Sequence, residues 1–116
     1  MQTNYFNMED FYWLNEDSVT FLSRGYLEEG VTPKERIRQI SDRAEVLSGR
    51  PGFSDKFYNY MAKGWISLST PIWCNYGLNR GLPISCFANS LEDNMADILR
   101  GVAEIGMLSK LGGNLP

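Results

Sequence analysis

The sequence contains no histidine. That removes the commonest general base and the commonest metal ligand from any site these residues build alone. Cysteine is scarce, with only Cys74 and Cys86 among 116 residues. Two thiolates without histidine do not close a four-ligand zinc site, so no metal is assigned. No basic segment followed by an apolar core opens the chain, so a reducing, cytoplasmic setting is expected. There a structural Cys74–Cys86 disulfide, although compatible with the spacing, is not expected. Positive charge is also in deficit, since 11 Lys and Arg face 14 Asp and Glu for a net charge of −3. That argues against direct nucleic-acid binding, which normally needs a basic face. No apolar run approaches the ~20 residues of a membrane span.

What is present is globular in character. Hydrophobic residues make up 43% and aromatics 13%, well above a disordered chain. The length suits one modest domain or a piece of a larger one. Asn15 is a good N-cap for a helix over 16–24, with Glu16 and Asp17 in its first turn and Gly25 as a left-handed stop. Phe11, Trp13, Phe21, Leu22, Tyr26 and Leu27 supply its packing face. Thr32-Pro33-Lys34-Glu35 combines a capping box with proline at the first helical position. Ile37, Ile40, Ala44 and Leu47 then repeat at helical spacing, with Arg36, Arg38, Asp42, Arg43 and Glu45 on other faces. Gly49, Pro51 and Gly52 end this helix, and Ser54 is placed to cap a third over 55–64 with Phe57, Tyr58, Met61 and Trp65 on its apolar side. A last helix starts at a Ser90–Asp93 capping arrangement and carries Leu91, Met95, Ile98, Val102 and Ile105 on one stripe, closing at Gly112-Gly113.

Between the helical half and that last helix lies the stretch from Ser69 to Phe87, which holds both cysteines. Pro71 biases Thr70 towards extended backbone, and Gly77, Asn79 and Gly81 form turns, so its middle reads as a loop. Residues 84–88 read as a short strand with Ser85 and Phe87 on one face and Cys86 on the other. A serine and a thiol side by side make a plausible wall for a small anionic ligand. A lone strand cysteine is nevertheless more often a small buried hydrophobe than a nucleophile, and Cys74, flanked by Trp73 and Tyr76, more so. Asp93 and Asn94 ordinarily read as capping residues, and Gly112-Gly113 is a weak sign of close backbone approach to a phosphate.

Several strings are more specific. Thr70-Pro71-Ile72-Trp73 is followed by Asn75-x-Gly77, then Arg80-Gly81-Leu82-Pro83-Ile84-Ser85-Cys86-Phe87. Asp93 stands seven residues after Cys86, and Ser109-Lys110-x-Gly112-Gly113 closes the pattern. Upstream run Trp13-Leu14-Asn15-Glu16-Asp17-Ser18 and Thr32-Pro33-x-Glu35-Arg36-Ile37-Arg38. In order and spacing, over about residues 11 to 113, these resemble the catalytic large subunit of ribonucleotide reductase. They look most like the class I, diferric-dependent type of bacteria and phages.

The resemblance implies a mainly α fragment: a helical amino-terminal region over 1–68, without an ATP-cone, and over 69–116 the first strand and helix of a ten-stranded α/β barrel, truncated after Gly113. It implies that Cys86 is one of a pair of redox cysteines reducing the ribose 2′ position, its partner being absent from this chain. It implies substrate contacts at Thr70, Ser85, Cys86 and Gly113, and contacts to a deoxynucleotide (dNTP) allosteric effector at Asp93, Asn94 and Met95. The chain itself is expected to bind no cofactor. The implied partners are a ribonucleotide substrate, a complementary large-subunit fragment, a metal-containing, radical-generating small subunit and a thioredoxin- or glutaredoxin-type reductant. The family's third glycine, a substrate-contacting position, is Asn114 here. A non-enzymatic remnant or helical interaction module is the alternative expectation.

Overall fold

A computed structural model of the chain describes residues 8–110. Five helices follow one another: α1 (Glu16–Ser23), α2 (Pro33–Ser48), α3 (Phe53–Ala62), α4 (Thr70–Asn75) and α5 (Met95–Leu108). The capping chemistry sets the first two as expected. Asn15 accepts from the Ser18 amide, and Thr32 and Glu35 close both bonds of a capping box around Pro33. Helix α2 ends at Gly49 in the left-handed conformation.

Other ends differ from the sequence reading. Helix α1 stops one residue early, and its cap is Arg24 rather than Gly25, whose φ of +117° lies outside the left-handed helical well. Helix α3 starts at Phe53 after Gly52, because Ser54 is buried and gives its hydroxyl to Asp42 instead of capping. Helix α5 is capped by Asn94, which accepts from the Asp97 amide at 2.8 Å, not by the Ser90–Asp93 pair.

Two corrections concern the central stretch. Thr70, expected in extended backbone before Pro71, instead opens the short helix α4, since Pro71 sits in the first turn where its missing N–H costs nothing. Residues 84–88, read as a strand, carry no ladder, and among the described residues there is no strand at all. A strand needs a neighbour to take its backbone hydrogen bonds, and none is offered.

The core forms where α2 and α3 meet the amino-terminal aromatics. Phe11, Leu22, Ile37, Met61, Ala62 and Trp73 are buried together, with Trp13, Leu14, Tyr26, Phe57 and Tyr58 packed around them. The Phe11 ring meets Tyr58 edge-on at 5.3 Å, and the Trp13 indole donates to the Met61 carbonyl at 2.8 Å. Phe21, Leu47 and Trp65, expected on packing faces, are more than half exposed. From residue 83 to 110, only Gly101 is buried among the described residues. The apolar stripe of α5 is accordingly open, with Met95, Val102 and Ile105 all more than half exposed. The Cα radius of gyration, 18.4 Å, is well above the roughly 13 Å of a compact chain of this size.

Arg36 joins α4 to this core. It lies on the inner face of α2 with Pro33, Ile37, Ile40 and Ser41, not on an outer one, and is 2% exposed. Its Nε donates to the Trp73 carbonyl at 2.8 Å, and its Nη2 to those of Tyr76 at 2.7 Å and Ile72 at 3.2 Å. Burial lowers its pKa from the ordinary value, an effect that nearby Glu28 opposes. Arg36→Leu should leave three helix-end carbonyls short of donors. Each hydrogen bond to a charged group contributes about 1.5–3 kcal/mol, so the loss should be about 3 kcal/mol or more. A drop in urea midpoint checks this, with Arg36→Lys recovering part because an ammonium cannot present a planar fork. An unchanged midpoint in Arg36→Leu would overturn it.

Candidate functional site

The site is built outward from the end of α4. Arg80 turns back so that its Nε and Nη2 both donate to the Cys74 carbonyl, at 3.1 and 2.8 Å. Two arginines thus satisfy the carbonyls of residues 72, 73, 74 and 76 at the negative end of the helix. Asn75, 5% exposed, donates to the Leu82 carbonyl at 2.8 Å. Gly81 lies flat against that amide. A Cβ there would come within 2.7 Å of the Asn75 Cγ, and φ is +59°, so glycine is required on both counts. These contacts hold the loop 76–82 against the helical body and fix the direction in which the next segment leaves.

That segment carries Ser85 and Cys86, both exposed. Ser85 Oγ lies 3.8 Å from Cys86 Sγ. The expected alternation persists without a ladder: Ser85 and Phe87 line a hollow of about 380 Å3 with Asn89, Ile105, Leu108 and Ser109, and Cys86 does not.

The two thiols have opposite environments. Cys74 is buried, with its thiol directed at the Gly25 carbonyl 3.6 Å away. Burial pushes its pKa up, and Arg80 and Arg36 only partly offset this. It is a packed, protonated thiol. Cys86 is the accessible one.

The remaining positions implied by the resemblance are spread out. Thr70 is exposed in the first turn of α4, 3.5 Å from the Tyr26 hydroxyl, and no hydrogen bond joins it to Ser85 or Cys86 among the described residues. Asp93, Asn94 and Met95 begin α5, and the Asn94 side chain is engaged as the cap. The Glu92 amide and Arg100 hold the Asp97 carboxyl below the usual carboxylate range. Gly113 lies outside the described residues. Among the described residues no cluster of His, Cys, Asp or Glu could hold a metal, and no helix is long and apolar enough to cross a membrane. Another hollow, of about 650 Å3, lies elsewhere, lined by Trp13, Phe21, Leu22, Met61, Ile66 and Trp73.

No family model matches the chain. Comparison with solved structures finds the Actinobacillus ureae class Id ribonucleotide reductase alpha subunit at TM-score 0.89 and 57% identity, covering 92% of this chain and 21% of that one. The chain belongs to the ribonucleotide reductase large-subunit family. Among curated proteins, the ribonucleoside-diphosphate reductase large subunit of Invertebrate iridescent virus 6 is 36% identical over 89 residues, 77% of this chain and 9% of that protein. The ribonucleoside-diphosphate reductase subunit alpha of Synechocystis is 28% identical over 114 residues, 89% of this chain and 15% of that protein. The chain therefore spans about a tenth to a fifth of the length of these relatives.

Sequence reading missed Arg36, Asn75 and Arg80 as the residues that aim the Ser85–Cys86 segment. For Arg36 a signal existed: it sits four residues before Ile40 and beside Ile37, on the stripe that faces inward. The thiol environments make a direct prediction. Iodoacetamide should alkylate Cys86 in the folded chain and reach Cys74 only on unfolding. The raised pKa of Cys74 favours the folded state fully below the ordinary thiol value of 9.0, and that contribution is lost as pH climbs through the raised value. Labelling of Cys74 should therefore rise steeply above pH 9, as mapped by mass spectrometry. Equal rates at both cysteines near neutral pH would refute the assignment.

Proposed function

We propose that this chain contributes one redox-active cysteine, Cys86, and part of the substrate and effector surfaces to a reductase that converts ribonucleotides to deoxyribonucleotides. The observation that carries the reading is an exposed thiol beside a serine, on the one segment that leaves the helical body, in a chain 57% identical to a class Id alpha subunit. In the overall reaction two thiols become a disulfide and the ribose 2′-hydroxyl leaves as water. Two electrons and two protons pass from the thiols to the nucleotide, and exchange with an external dithiol restores them. Cys86 supplies one thiol, and the second comes from another part of a large subunit. The radical that starts the chemistry comes from a metal-containing small subunit, and no residue described here binds that metal.

Thr70 and Ser85 would offer hydroxyls to the nucleotide, with Gly113 close to its phosphate. Asp93, Asn94 and Met95 would meet a deoxynucleotide effector at the start of α5. Asp93 suits a sugar hydroxyl or base edge better than a phosphate, which it would repel. The reductant would be a thioredoxin- or glutaredoxin-type dithiol. The open apolar stripe of α5 supports a complementary polypeptide as partner, because such a face is covered in a stable assembly.

Two measurements test this in the reconstituted assembly of large-subunit polypeptides with the small subunit. Cys86→Ser should abolish turnover with a dithiol reductant while effector binding persists, and Cys74→Ser should leave turnover in place. Retained turnover in Cys86→Ser would favour a non-enzymatic interaction module. Asp93→Ala should weaken deoxynucleotide binding and blur substrate choice more than it slows reduction. A purely local role at the helix start would appear instead as a stability loss of about 0.5–2 kcal/mol with the effector response intact.

A further inference from the structure

Residues 85–92 run antiparallel to α5, and four juxtapositions along them keep that register. The Glu92 amide donates to Asp97 Oδ2 at 2.5 Å. Asn89 Nδ2 donates to the Gly101 carbonyl at 3.4 Å. Ser85 and Phe87 share their hollow with Ile105, Leu108 and Ser109, one to two turns further along the helix. At the centre of this run the segment leans on Gly101. A Cβ built there would collide with Leu91 Cδ2 and stand 3.3 Å from Leu91 Cγ and 3.5 Å from Asn89 Nδ2. Glycine is a poor helix former, so one in the middle of a 14-residue helix calls for a reason. Here the reason is proximity: the missing side chain is the space in which Leu91 rests.

We infer that Gly101 is a positioning residue for Cys86, the seat that holds residues 85–92 on α5. Residues 83–91 make no backbone–backbone hydrogen bond with other described residues, and the two side chains turned to α5, Leu91 and Phe87, are only 50% and 38% exposed. The segment's path is set by two anchors. The Asn75–Leu82 bond fixes where it starts, and Gly101 fixes where it lies. Asp93, Asn94 and Met95 begin the same helix. If the reading of these residues as effector contacts and of Cys86 as the redox thiol holds, on which this consequence rests, a tilt of α5 at its first turn carries Cys86 with it.

The test reads the seat by contact quenching. Bimane is attached through Ser85→Cys in the full chain carrying Cys74→Ser and Cys86→Ser, with and without Ile105→Trp as quencher, because Ser85 faces the hollow that Ile105 lines. With Gly101 in place, Ile105→Trp should quench the dye. Gly101→Ala should alter this little, because the colliding Leu91 Cδ2 is the far end of a flexible side chain. Gly101→Val adds two methyl groups beyond that Cβ, in space Leu91 and Asn89 already crowd, and should reduce the seated population by about fivefold or more. Far-ultraviolet circular dichroism should show helicity kept or raised in Gly101→Val, since valine is the better helix former. Adding Leu91→Ala to Gly101→Val should restore quenching by removing the colliding group. Absent quenching with Gly101, equal quenching in Gly101→Val, or no recovery with Leu91→Ala would each overturn the inference. The turnover assay of Cys86→Ser reads a different quantity, so failure of the seat and failure of the redox assignment are told apart.

Discussion

One buried guanidinium holds the central stretch to the rest of the protein. Arg36 reaches from the inner face of α2 to three carbonyls at the end of α4. A charge taken out of water is costly, and it persists only where hydrogen bonds and opposite charge compensate it. Here the compensation is the partial negative end of a helix too short to be stable by itself. The dependence runs both ways: Arg36 supplies the donors for the carbonyls of residues 72, 73 and 76 while Arg80 takes that of Cys74, and those carbonyls satisfy most of the buried guanidinium. Trp73, packed into the core one residue away, makes the same joint watertight.

That joint decides what the thiols can do. Cys74 is drawn into the joint, where burial keeps it protonated and inert. Cys86 lies past the loop that Arg80, Asn75 and Gly81 pin down, where the chain has left the body and nothing shields the sulfur. Eleven residues separate a structural cysteine from a chemically available one, and two arginines, Asn75 and Gly81 fix the turn between them.

Local chemistry was the legible part of the fold. The Asn15 and Thr32 caps and the Gly49 stop are read correctly because each depends on a few adjacent residues. Helix α4 was missed because Pro71 was weighed for its effect on Thr70, when the helix that tolerates it is stabilised from α2, 36 residues earlier. The strand at 84–88 was over-read for the same reason: alternation marks which way side chains point, while a ladder needs a second chain segment to receive it. The inward place of Arg36 was hidden by treating every charged residue on α2 as solvent-facing. For the site, the order and spacing of the Pro-Ile-Ser-Cys-Phe string identified the family, yet the residues that aim Cys86 act through backbone carbonyls and leave no motif.

The brevity of α4 has a consequence for biosynthesis. Six residues cannot pay the entropic cost of nucleating a helix unaided, so α4 forms only against a finished neighbour. On a ribosome α2 and α3 emerge before residue 70, so Arg36 is in place to meet α4 as it follows. Vectorial synthesis thus delivers the docking cation first and the carbonyls second. The alternative order would leave a bare helix end among exposed aromatic side chains.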